Sequence, residues 1–158
     1  EQMEEARARV QEFEPELIPE ERRPDGTLIR VIAGTTEEGT GGAVTQIAAQ
    51  PIYFDVTLPP GGELHQPIPE GHNAFVHLIE GGITIGTEAV TAGNLAVLGE
   101  GDHLLTRAGE EGARFLLIAG KPFNEPVSRS GPFVMNTEEE LRQAYSDYRS
   151  GQFGHVKE

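Results

Sequence analysis

Between residues 27 and 120 the chain is a succession of short apolar runs: TLIRVIAG, AVTQIAA, IYFDVTL, AFVHLIEG, GITIG, EAVTAG, NLAVLG, HLLTRA and ARFLLIAG. Several are rich in Val, Ile, Thr and aromatic residues, and Gly, Pro, Asn or Asp separates most of them. Short strands at regular spacing, with turn signals between them, fold as a sandwich or a barrel. The glycine-rich stretch 39–42 reads as a loop between strands. No Lys-Ser/Thr follows it and no helix opens there, so it does not cradle phosphate. A length of 158 residues suits one such domain around one core.

The flanks have a different texture. Residues 2–13 are rich in Ala, Arg, Glu and Gln, which predicts a short helix ended by Pro15 and Pro19. Residues 14–26 read as an extended, charged lead-in that suits a linker or an arm lying across another surface. The expected organisation is an arm over 1–26, a barrel over 27–120 and a coil followed by a helix over 121–158. That last helix has a capping box, Thr137 with Glu140 three residues on. Glu138 and Glu139 suit its positive N-terminal end. Leu141, Ala144, Tyr145 and Tyr148 form an apolar stripe, expected by default to dock on the barrel, and Gly151 or Gly154 ends the helix.

Charge excludes two classes of partner. With 26 acidic and 12 basic residues the net charge is −14, which repels the phosphates of nucleic acid and an anionic membrane surface. No apolar run approaches the roughly 20 residues needed to cross a bilayer. The charged start EQMEEARARV is not a signal peptide. A cytoplasmic location is expected, or a nuclear one if the source is eukaryotic. Without cysteine, thiolate catalysis and cysteine-based metal sites are excluded.

The segments PPGGELHQPIPEGHNAFVHLIEGGITIG and AGNLAVLGEGDHLLTRAGEEGARFLLIAG resemble the two motifs of the cupins. The tail is more specific: Glu125-Pro126-Val127 followed by GPFVMNT and a helix resembles the end of the pirins. Similarity to that family runs from about Val10 to Gly154. The resemblance implies an all-β cupin double-sheet barrel with a C-terminal helix and a short N-terminal helix or arm. Pirins pair two such barrels, and this chain resembles the interdomain linker and the C-terminal one. The N-terminal barrel holds iron through three histidines and a glutamate, so no cofactor is expected in this chain. Some pirins have quercetin 2,3-dioxygenase activity, and animal pirins act as nuclear cofactors of transcription-factor complexes.

A mononuclear iron needs imidazoles and carboxylates converging on one point. Counting back from Ile79-Glu80-Gly81, the family's His-x-His positions fall on Pro67 and Pro69, and its glutamate falls on Ala74. In the second motif, the ligand positions of Gly-x-x-His-x-Glu fall on Leu104 and Thr106, after Gly101. Strand alternation then turns Ala74, Val76, Leu78 and Leu104 inward, as the lining of an apolar pocket, and turns His77 and His103 outward. His155 lies past the last helix. The alternative metal site is His65 and His72 with Glu70 between them, near the barrel mouth.

Three functions are compatible with these residues. The first is a metal-free structural, protein-interaction or regulatory module, whose partner is another protein or the N-terminal barrel. The second is part of an iron-dependent dioxygenase whose metal lies in that other barrel. The third is a binder of a flat apolar ligand. An isolated barrel is also expected to self-associate into a homo-oligomer.

Overall fold

The structure, a computed structural model, describes residues 12–45 and 48–152. It contains ten strands and one α-helix among those residues. They divide into two compact units, Glu1–Pro122 and Phe123–Glu158.

In the first unit, β1 (Glu20–Arg22), β2 (Leu28–Ala33), β3 (Ile52–Leu58), β4 (Glu63–Pro67), β5 (Asn73–Ile85), β6 (Glu88–Thr91), β7 (Leu95–Val97) and β8 (His103–Gly120) form one antiparallel sheet. Its architecture is set by the two long strands. The second half of β8 lies between β3 and the start of β5, with Phe54 opposite Leu117 and Val76 opposite Leu117. The first half of β8 lies between β4 and the end of β5, with Leu64 opposite Thr106 and Ile85 opposite Thr106. β5 and β8 therefore run through both layers and bend between them, enclosing a core of the jelly-roll type.

The bend is built from glycine. On β8 the inward side chains are Leu104, Thr106 and Ala108, then Ala113, Phe115, Leu117 and Ala119. On β5 they are Ala74, Val76 and Leu78, then Ile83. Both strands thus shift from one parity to the other at the bend, and β5 shows register irregularities there. Gly81 has φ +73°, and a Cβ on it would stand 2.0 Å from the Gly112 carbonyl oxygen. Gly112 has φ +74°, and a Cβ there would stand 2.7 Å from the Leu58 carbonyl oxygen. Only glycine permits this crossing of backbones. Below it, Phe54, Phe115, Leu58, Leu64, Leu78 and Leu117 are almost wholly buried, each contributing about 2 kcal/mol through area removed from water.

In the second unit, β9 (Ser128–Ser130) and β10 (Phe133–Met135) form a hairpin, and α1 (Glu138–Arg149) packs on it. The Thr137 hydroxyl accepts from the Glu140 backbone N–H, and the Glu140 carboxylate accepts from the Thr137 backbone N–H, a complete capping box. Leu141 and Ala144 bury against Phe133, with Met135 and Tyr145 beside them. The Tyr145 ring meets Phe133 edge-on at 4.8 Å. Gly151, at φ +73°, follows the helix.

Several expectations change. The helix over 2–13 lies outside the described residues except for Glu12 and Phe13, which are not helical; a single 3-10 turn, Pro15–Leu17, follows. The lead-in is no free arm. Pro24-Asp25-Gly26 turns it into a hairpin whose first strand, β1, pairs with β2, so the sheet begins before residue 27. AVTQIAA forms no strand among its described residues, and Val44 makes only one bridge to Ala33. AFVHLIEG and GITIG are one strand, as are HLLTRA and ARFLLIAG. ELHQP, not among the apolar runs, is β4, and the coil over 121–136 contains the β9–β10 hairpin. The helix stripe packs on that hairpin: Leu141, Ala144 and Tyr145 cluster with Phe133, and the Tyr148 ring, though 65% exposed, meets Phe133 edge-on at 5.9 Å. His155 and Gly154 lie outside the described residues.

Candidate functional site

One end of the first unit holds a cavity of about 640 Å³, with Ile68, His72, Ala74, Leu98, Leu104 and Thr106 among its lining residues. Strand pleat decides what faces inward. On β4 the buried residues are Leu64 and Gln66, and Ile68 follows in the same phase. Pro67 and Pro69, on which the ligand count places the His-x-His pair, are both exposed. Ala74 and Leu104 are buried and line the cavity. Val76 and Leu78 are fully buried but lie deeper, in the core rather than on the cavity wall.

The polar groups at these inward positions already have partners. The Gln66 amide oxygen accepts the Glu37 backbone N–H at 3.1 Å, and its nitrogen donates to the carbonyls of Thr35 and Pro67 at 3.2 and 2.9 Å. The Thr106 hydroxyl donates to the Thr84 carbonyl at 3.1 Å. Two imidazoles, His72 and His103, border the cavity with Ala74 and Leu104. The His72 Nε2 lies 3.3 Å from the Gln50 carbonyl oxygen, and its Nδ1 is buried with no protein partner. A mononuclear iron needs several such groups on one point, and among the described residues no three His, Asp or Glu side chains converge as metal ligands do.

The alternative trio does not assemble. Glu70 is exposed, and His72 turns to Gln50. His65, on β4, pairs instead with a residue expected to be an isolated outward histidine. The register sets His65 opposite Leu105 and Pro67 opposite His103, so His65 and His103 are diagonal neighbours on the outer face. Their ring centroids are 5.4 Å apart. Each Nδ1 is hydrogen-bonded to a carboxylate, His65 to Glu37 at 2.6 Å and His103 to Asp102 at 2.5 Å. The bond to His103 holds the Asp102 carboxyl below the usual carboxylate range. Glu37 and Asp102 have no signature in the sequence. Glu37 reaches His65 only because Gln66 ties its loop to β4.

An antiparallel jelly-roll barrel with paired motifs and a cavity at its end is a cupin. The sequence profile of the pirin C-terminal cupin domain matches residues 53–154, and the chain belongs to the pirin family. It is 42% identical over 143 residues to the pirin-like protein of Caulobacter vibrioides, covering 90% of this chain and 51% of that protein. It is 39% identical over 149 residues to human pirin, covering 91% and 50%. Among solved structures, quercetin 2,3-dioxygenase from Acinetobacter baumannii superimposes with a TM-score of 0.79 at 33% identity, covering 93% of this chain and 51% of that one. The chain spans about half the length of the curated relatives it matches.

Proposed function

We propose that this barrel is a non-catalytic module whose cavity holds no metal and whose outer surface binds another protein domain, in the first place the half of a full-length pirin that this chain does not span. The observation that carries the reading is the set of inward side chains: Leu64, Gln66, Ile68, Ala74, Leu104 and Thr106, whose polar atoms are all bonded within the chain. No general base, nucleophile or ligand set faces the cavity at these positions. The outer face supports the binding role. In register across four strands stand Val97, Phe75, Ile118 and Tyr53, an apolar row on the outside of the barrel. Val97 is 78% exposed and Leu95, two residues earlier on the same face, 55%. Rows of this kind mark contact surfaces.

Two measurements test the reading. Elemental analysis of the purified, unchelated chain is expected to find no stoichiometric iron, and the chain alone is expected not to oxidise quercetin. Stoichiometric iron that disappears in Gln66→Ala or His72→Ala overturns the inert cavity. Sedimentation is expected to show the chain associating with the unspanned half of the Caulobacter vibrioides relative, and Val97→Glu to abolish it. Self-association in place of that complex moves the interaction to a second copy.

A second reading rests on the Acinetobacter baumannii structure, whose name is quercetin 2,3-dioxygenase and of which the chain covers half. In it, the barrel is the metal-free part of an oxidoreductase. Quercetin turnover that requires both halves in one tube distinguishes it from a purely regulatory module.

A further inference from the structure

The diagonal pair on the outer wall has the features of a metal site. A carboxylate can only accept, so the bonds to Glu37 and Asp102 place a proton on Nδ1 of His65 and of His103. In the neutral ring the lone pair then lies on Nε2. No hydrogen bond to either Nε2 is formed among the described residues, and the two rings are 5.4 Å apart with planes inclined by 44°. Orientation by a carboxylate at the opposite nitrogen is the usual arrangement of metal-binding imidazoles, since it fixes the tautomer and raises basicity. The positioning is built into the fold. Gln66, 2% exposed, holds the Glu37 backbone, and β4 and β8 fix the spacing of the two rings.

We propose that His65 and His103 bind a divalent cation of the imidazole-preferring class, Zn²⁺, Ni²⁺ or Cu²⁺, through their Nε2 atoms, with water completing the coordination shell. Glu37 and Asp102 are positioning residues that hold the rings. Imidazole nitrogen favours these ions over Mg²⁺ and Ca²⁺, which take oxygen ligands. The net charge of −14 raises the local concentration of any cation at the surface. With two protein ligands, the site is an exchangeable one rather than a structural centre. His65 stands outside the cavity lining and His103 at its border, so the variants at His65 and Glu37 separate this site from the cavity.

The test is titration of the untagged full chain with NiCl₂ and with ZnCl₂ by calorimetry. One ion per chain is expected, with no competition from excess MgCl₂. His65→Ala and His103→Ala should each weaken binding by at least about tenfold, and Glu37→Gln by about tenfold, the usual effect of losing an orienting partner. His72→Ala and His155→Ala should bind as the parent does. Cu²⁺ added to the parent chain should broaden the imidazole NMR signals of His65 and His103 before the other three, a readout that needs no variant. Absence of saturable binding, binding that survives either alanine at 65 or 103, or first broadening at His72 or His155 overturns the proposal. Iron that persists in His65→Ala counts against the inert cavity and leaves this site standing.

Discussion

Glu21 is a charged residue 6% exposed on the first strand of the sheet. Arg23 Nε donates to it at 2.8 Å and the Thr36 hydroxyl donates to its other oxygen. Burial pushes the carboxyl up, but the bonds from Thr36 and Arg23 outweigh burial and hold the group below the usual carboxylate range. A group with a depressed folded pKa stabilises fully above its ordinary value of 4.5 and loses that contribution as pH falls through the folded value. Glu21→Gln should therefore lower the unfolding free energy at neutral pH by about 2–3 kcal/mol; the loss stays below the full cost of breaking a buried pair, since Glu38 remains 3.3 Å from Arg23. Urea titrations at several pH values check this: the gap between variant and parent should close as the solution is acidified below pH 4.5. The residue was not readable in advance, since nothing in Glu20-Glu21-Arg22 tells which of the two glutamates turns inward until the strand has a partner.

At the scale of elements, the legible parts are those whose signal is local. IYFDVTL alternates apolar with more polar residues, LIRVIA is rich in branched residues, and both bury alternate side chains, as β3 and β2. The capping box at Thr137 and Glu140 is one turn of sequence and one turn of structure. Thr137→Ala should cost about 1 kcal/mol, read as faster hydrogen exchange in α1 with the amides of β3 and β8 unchanged. β4 was hidden because Pro67 and Pro69 give ELHQP the texture of a loop, yet Pro67 closes the strand opposite His103. The same gap hid the histidine pair, which exists only once β4 lies against β8. The β1–β2 hairpin did carry a signal, Pro24-Asp25-Gly26, in which the Asp25 side chain accepts the Thr27 N–H at 2.9 Å. At the bend, Gly81→Ala adds a methyl group against a carbonyl oxygen on a left-handed backbone. It should destabilise the barrel by about 3 kcal/mol or more, seen as a lower urea midpoint or as insoluble expression.

For the whole molecule, the barrel class is written in spacing and composition, but the merging of four apolar runs into two long strands is not. AFVHLIEG ends at Gly81 and ARFLLIAG follows Gly112, glycines that look like turns, and only packing shows that they carry the chain through a bend instead. The excess of negative charge acts at this scale too. Repulsion among unpaired carboxylates opposes compaction, so added sodium chloride should raise the midpoint of thermal unfolding, and a midpoint insensitive to salt would show that the ion pairs already balance the surface.

The place of β8 in the chain has a consequence for biosynthesis. The strand that lies between β3, β4 and β5 is the last of the barrel to leave the ribosome. Until Gly120 has emerged, β3 and β4 lack their central neighbour, and the growing polypeptide presents unpaired edges and open apolar faces to solvent. Folding of the barrel therefore waits on translation of its final strand, and a nascent chain that stops short of it is a substrate for holding chaperones, not a partly finished domain.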